Sequence, residues 1–406
     1  MGILKFLIIL SIALFPLGEL IRIQVAESVF LKPIDFAVGM TFILWLAIIL
    51  KSKNVNANIR ENYLMKPVLI FVVISFISLL INSSLLKGSE FFASFLYLIR
   101  WFAYAGIYFV VSMLDKPFKK VIIALLIVLG GLIVLGGFVQ YIFYQNLRNL
   151  YYLGWDDHMY RMFGIFLDPN FLGAFLVLFF LFLVGKLFNQ EDEKVSHGYR
   201  ILYSSIALLT LGAIFLTFSR GAVVMLIASS TILFILLEKK RWIFALLSIF
   251  VIVFIVSSRY FYIENINPFR IVSAKARLET TFNAIQMIKN NFFLGVGFNG
   301  YRYAQIRYGF RKEINALNSH ADAGPDNSLL FVLATTGIVG FIAYLFIWYN
   351  ILKRYWEIYK SRKSAFAAVV IASTVGIFLN SLFINSLFFP PIMLWIWILI
   401  GIKDYS

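Results

Sequence analysis

Long apolar runs broken by short polar stretches dominate this chain, with no sustained alternation of period two. A bilayer core of about 30 Å needs about 20 apolar residues per helix. On that ruler the pattern predicts helices over 3–19, 33–50, 65–85, 91–114, 120–143, 164–187, 201–218, 221–237, 242–257, 327–351, 364–387 and 389–402. The expected fold is an all-α membrane protein of about 12 transmembrane helices. The stretch 258–326, between spans nine and ten, is too long and too polar to cross. It is expected to form one large extracytoplasmic loop carrying short helices. With no internal repeat and no low-complexity tract, 1–406 reads as a single polytopic domain. Ile3 to Leu17 resembles a signal peptide only superficially, because it has no small-residue cleavage site and a further apolar run follows.

Composition sharpens this picture. Hydrophobic residues make up 61% of the chain and charged residues 14%. A soluble domain carries about 45–50% apolar and about 25% charged residues, so the excess here must face lipid. The net charge of +16 raises the question of nucleic acid. The basic residues answer it, because they sit in short loops between apolar runs and form no basic domain. With the N-terminus inside, Lys5, Lys403 and the loops 51–66, 116–120, 186–200, 239–241 and 353–363 hold most of them. The short opposite loops hold only Arg22, Lys32, Lys87, Arg148, Arg161 and Arg220. That is the positive-inside bias, and it places both termini in the cytoplasm. Cysteine is absent and the three histidines are scattered, which argues against a thiolate site, a cysteine nucleophile or a metal cluster.

Polar residues in and beside the apolar runs are the candidates for chemistry. Arg100 lies about ten residues into span four, near mid-bilayer, where it must face a polar cavity or pair, for instance with Asp35. Arg220 follows Ser219 at a break between two runs, where Gly221 permits a tight reversal. It either snorkels to the interface or presents a fixed guanidinium to an anion. In the outer loop, Leu278, Phe282, Ile285 and Ile288 share one face of an amphipathic helix that Arg277 begins. Glycines 295, 297 and 300 follow it. Asp326 and Asn327 stand where they can cap span ten, and Asp326 or His320 can equally serve as a general base. The helix dipole and nearby arginines are expected to keep Asp326 ionised. Arg161 and Asn170 are expected to line an outer cavity. Asp156, Asp157 and His158 adjoin one another, but adjacent carboxylates point apart and make a poor metal site.

Four ordered pieces carry a resemblance. They are R-x-x-G-x-F-x-x-P-N at Arg161–Asn170, S-R-G-A at Ser219–Ala222, the Arg277 helix followed by Gly295 and Gly297, and D-N-S-x-L with T-G-I-x-G over Asp326–Gly340. Together they resemble the O-antigen ligase and O-antigen polymerase superfamily of bacterial membrane glycosyltransferases. The resemblance implies transfer of a glycan from a polyprenyl pyrophosphate at the outer face of the plasma membrane; separately, no cofactor is expected, and the residues offer no evident metal cluster. It implies that Arg220 and Arg277 are the two important outer arginines. Ligases of this superfamily carry a histidine where this chain has Asp326, and aspartate–asparagine is the pattern of polymerases.

The residues support the same chemistry by a separate route. A pyrophosphate is already a good leaving group, so the site needs positive charge where negative charge develops. Arg220 and Arg277 can supply it, while Asp326 or His320 takes the acceptor proton. Arg161, Asn170, Ser219, Asn327, Arg302 and Arg100 are expected to bind substrate. The expected partners are a polyprenyl-pyrophosphate-linked glycan donor, a glycan acceptor and the lipid bilayer, with a chain-length regulator or flippase alongside and no nucleic acid. The first expectation is a polymerase of lipid-linked repeat units for O-antigen, capsule or exopolysaccharide. The alternatives are a ligase delivering the glycan to lipid A core or protein, and a polysaccharide transporter or flippase.

Overall fold

A computed structural model describes residues 1–26, 29–51, 62–153, 155–188, 197–260, 262, 266–267, 272–311 and 323–402. Among these, the chain forms α1 (Gly2–Leu14), α2 (Pro33–Lys51), α3 (Met65–Ile81), α4 (Gly88–Met113), α5 (Lys116–Phe143), α6 (Pro169–Leu187) and α7 (His197–Leu216). It continues through α8 (Arg220–Leu236), α9 (Arg241–Ser257), α10 (Val272–Asn290), α11 (Tyr301–Arg307), α12 (Ser328–Arg362), α13 (Ala365–Asn380) and α14 (Pro390–Ile402). The fold is all-α apart from one feature absent from the sequence reading. Two short antiparallel strands, β1 (Ile23–Ala26) and β2 (Val29–Leu31), pair Ile23 with Leu31 and Gln24 with Phe30.

Each apolar run falls on one helix, but the helices differ in reach. α2, α4, α5, α6, α7 and α12 are long and apolar enough to cross a membrane. The remaining apolar helices are α1, α3, α8, α9, α13 and α14, of 10–17 residues. At about 1.5 Å per residue these fall short of a hydrocarbon core of about 30 Å.

The centre of the bundle explains why some runs show no helical stripe. α14 is buried along its whole length, and α6 along most of it. A helix surrounded on all sides by other helices needs apolar residues all round. α6 packs on α7, α8 and α13, and α14 packs on α4. Small residues set the spacing. A side chain at Gly130 or Gly185 would run into Phe179 or Val369, so close helix contact depends on its absence. α9 is the opposite case: only Leu246 is buried, and Phe244, Ile252 and Ile255 face outward.

α12 contains the sharpest irregularity. Gly337 has φ 64° and ψ −171°, a region open essentially to glycine alone, and the helix is broken there. The freed backbone groups find partners in the segment after α10. Ile338 N–H donates to Phe292 O at 2.8 Å, and Val296 N–H donates to Ala334 O at 2.9 Å. Ser78 of α3 donates its hydroxyl to the carbonyls of Leu294 and Thr335, and Asn82 donates to that of Gly295. A Cβ on Gly295 would lie 2.4 Å from the Thr335 carbonyl carbon, and one on Gly337 would lie 2.2 Å from Phe293 O. The G-x-G and T-G-I-x-G motifs are thus two halves of one backbone joint.

Candidate functional site

The first motif is built as a bracket for the start of α8. Asp168 caps α6, its carboxylate accepting from the N–H groups of Asn170 at 2.6 Å and Phe171 at 3.2 Å. Pro169 at the first helical position fits the same signal. Buried Arg161 donates Nε–H to Thr217 O at 2.9 Å and a terminal N–H to Asn170 Oδ1 at 3.2 Å. Asn170 Oδ1 also accepts from the Ser219 hydroxyl at 3.1 Å. Ser219 Oγ in turn accepts from Ala222 N–H, which makes Ser219 the N-cap of α8. A Cβ on Gly173 would lie 2.7 Å from that of Ala222, so α6 and α8 meet where both residues are small.

Arg220 is the first residue of α8 and is half-buried. The reversal expected at Gly221 is made instead by Phe218, at φ 46°. Gly221 lies inside the helix, and its lack of a side chain serves packing. A Cβ there would lie 3.3 Å from Phe383 Cβ and 3.4 Å from Asn380 Nδ2.

Asn380 ends α13 and Phe383 lies in the connector between α13 and α14, which also seats the start of α12. Ser328 N–H donates to Ser381 O at 2.8 Å, and Leu387 N–H donates to Ser328 Oγ at 3.2 Å. Asn327 Oδ1 accepts from Leu329 N–H at 2.9 Å and Leu330 N–H at 3.0 Å, while its amide donates to Leu382 O. Asn327 is therefore the cap of α12, which leaves the Asp326 side chain uncommitted to that role.

Asp326 meets Arg277 instead, with Nε and Oδ2 4.0 Å apart. Nearly half of its side chain remains open. The dipole and cations are not the only influences on this carboxylate. Partial desolvation by the surrounding protein pushes the Asp326 carboxyl above its ordinary value of 3.8; Arg277 opposes the shift, and Asp168 and Asp156 add to it. The influence of Asp168 and Asp156 means the α6 cap and the Asp326 loop share one electrostatic neighbourhood.

The expected face of the amphipathic helix is shared between the core and the outside: Ile288 packs on the bundle, and Leu278 and Phe282 face outward. Ala284 and Met287 of α10 are buried, whereas Leu278 and Phe282 are 58% and 63% exposed. The seat under α10 is made by Tyr301 and Ala304 of α11 with Phe331 and Ala334 of α12, and Ile288 also packs against it.

The structure therefore brings Arg161, Asn170, Ser219 and Arg220 together, and Arg277, Asp326 and Asn327 together, with the 380–389 connector touching both groups. Arg100 is engaged elsewhere. It forms a two-point pair with Asp35, at 2.9 Å and 2.6 Å, and Tyr104 donates to the same carboxylate at 2.7 Å. Arg302 lies on α11, half-buried. His320 lies outside the described residues. Sequence reading passed over Asp168, although a D-P dipeptide opening an apolar run is a helix-start signal. It also passed over a buried ion cluster in which Glu19 accepts from both Lys32 and Arg22. Lys32 lies over the ring of Phe389, which stacks on Phe171 at 4.1 Å beside the α6 cap.

No curated protein matches the chain. The family model described as O-antigen ligase matches residues 205–345. That stretch runs from α7 into α12 and takes in Ser219, Arg220, Arg277, both glycine motifs and Asp326, but stops short of the Arg161–Asn170 bracket. Through residues 205–345 the chain is similar to the O-antigen ligase family.

Proposed function

We propose that this membrane protein polymerises lipid-linked oligosaccharide repeat units, using a polyprenyl-pyrophosphate-linked glycan as donor at the outer face of the bacterial plasma membrane. The observation that carries the reading is the seating of the start of α8, at Gly221 beside Arg220, and of the Asp326–Asn327 segment against one stretch of chain, with Arg277 paired to Asp326. In this reading the six shorter apolar helices cross with the six long ones, the termini lie in the cytoplasm, and 258–326 lies outside.

The reaction breaks the bond between the sugar's anomeric carbon and the diphosphate oxygen. It forms a glycosidic bond to an acceptor hydroxyl, whose proton goes to Asp326. Arg220 and Arg277 stabilise the charge that collects on the departing diphosphate. An upward-shifted carboxyl suits the base, because proton transfer is most effective when the base's pKa lies near the working pH. The broken helix α12 also invites a transporter reading. Its freed backbone groups, however, are taken up by the 292–296 segment and by Ser78, where a transporter would use such groups to hold its cargo.

The test is a deletion strain complemented with Arg220→Ala. High-mass polysaccharide should disappear while the protein stays in the membrane; normal polymer would overturn the proposal. The deletion itself separates two activities. Loss of a polymerase leaves single repeats attached to their acceptor, whereas loss of a ligase leaves finished polymer on the carrier.

A further inference from the structure

We propose that the first turn of α8 is an anion cradle completed by Asn380, which donates an amide N–H to the diphosphate of the donor. This rests on the glycosyl-transfer reading and adds a positioning residue that no motif contains. Asn380 ends α13 and its side chain is wholly buried, yet neither Nδ2 nor Oδ1 has a hydrogen-bond partner. Asn385 Oδ1 and Ser386 Oγ, on the same connector, are also buried without partners. Some buried hydroxyls bond back to a carbonyl one turn earlier, as Ser11, Thr41, Ser229 and Thr336 do, while those of Ser75, Ser94, Ser230 and Ser373 have no partner; Asn380 differs in leaving both a donor and an acceptor unmet. A buried amide left with nothing to bond is costly, and the commonest resolution is a ligand or a water at that place.

The amide faces a helix start. Asn380 Nδ2 lies 3.4 Å from where a Cβ on Gly221 would stand, against the side of the first turn of α8. Ser219 takes the Ala222 N–H, and the ladder of α8 begins with Val223 N–H to Ser219 O. Gly221 N–H, in the first turn, has no acceptor within the helix. A helix start favours anions through its exposed N–H groups and its dipole. The Arg220 guanidinium adds full charge, and Asn380 adds a neutral donor. Phe383, half-buried over the same glycine, is the side chain that must turn aside to admit the ligand.

The experiment uses the full chain in lipid nanodiscs, with inorganic pyrophosphate as the probe, and reads binding by calorimetry and by the shift in Tm. Wild type should bind, Asn380→Leu about tenfold more weakly, and the near-isosteric Asn380→Asp not measurably, since it sets a carboxylate against the anion. A wild type that does not bind pyrophosphate overturns the inference. So does wild-type binding in both Asn380 variants, which would mean the amide is simply bridged by water. If Arg220→Ala loses both binding and polymer while the Asn380 variants bind normally, only this inference falls. If Arg220→Ala also binds pyrophosphate and makes polymer, the glycosyl-transfer reading falls with it.

Discussion

Arg277 Nε and Asp326 Oδ2 stand 4.0 Å apart, joining an outer helix to the segment that opens α12 across nearly 50 positions of sequence. The separation is that of a loose ion pair, and the carboxylate is still nearly half open. A tight two-point contact like that of Arg100 with Asp35 would consume both groups. This one leaves each of them able to reach a substrate.

The pH dependence of activity tests the role of Asp326. A base works ionised, so the rate falls as pH drops through its pKa, and that acid limb should lie above 3.8. Arg277 favours the ionised form, so Arg277→Gln should move the limb to higher pH in the residual activity. Asp168 disfavours it, so Asp168→Asn should move the limb lower while keeping a side chain that still caps α6. Identical limbs in wild type and both variants would remove Asp326 from the chemistry.

Arg100 separates a structural pair from a substrate contact. Arg100→Leu alone leaves Asp35 buried without its cation and should cost about 3–5 kcal/mol of stability, read as a lower Tm. Arg100→Lys should recover little, because an ammonium cannot make the two-point contact. The double variant Arg100→Leu/Asp35→Leu should regain the Tm. Polymer made by the double variant would assign the pair to architecture, and its loss at full Tm would assign Arg100 to substrate.

The backbone joint makes a prediction about folding. Gly337→Ala forces a side chain into a glycine-only conformation, which alone costs about 1–3 kcal/mol, and drives its Cβ onto the Phe293 carbonyl. Gly295→Ala collides with Thr335. Both should lower the yield of folded protein in detergent size-exclusion profiles, whereas Gly309→Ala, which has open space around it, should pay only for its φ of 71°.

The bracket around α8 should behave as a frame. Ser219→Ala removes the cap and a donor to Asn170, a loss of about 1 kcal/mol for the cap alone. Asn170→Leu strips an acceptor from Arg161 and Ser219 together. Both variants should lower kcat more than they raise KM, because they misplace Arg220 without removing a guanidinium. An unchanged kcat in Asn170→Leu would show that the bracket does not govern Arg220.

Apolar run length legibly marked where α1 to α9 and α12 to α14 lie, because the hydrophobic requirement of each helix is local to its own residues. Ser219 at the head of α8 could be read for the same reason, since capping acts within four residues. The capping of α12 by Asn327 rather than Asp326 was less legible, because two adjacent polar residues offer the same local chemistry. The contacts of α10 were less legible for a different reason. Ala284, Met287 and Ile288 meet Tyr301 and Phe331, which lie on other segments of the chain, while Leu278 and Phe282 are left outward.

What the sequence determined by itself was the helical character of the chain, its affinity for a bilayer and the residue types available for anion chemistry. These follow from composition and from interactions within a few residues. Only the tertiary structure decided that Arg100 is held by Asp35, that two glycine motifs form one joint, and that Asn380 faces the start of α8. Each of these depends on contacts between positions dozens to hundreds of residues apart. Such contacts arise from how helices pack, and packing responds to the shape of the partner as much as to the identity of the residue.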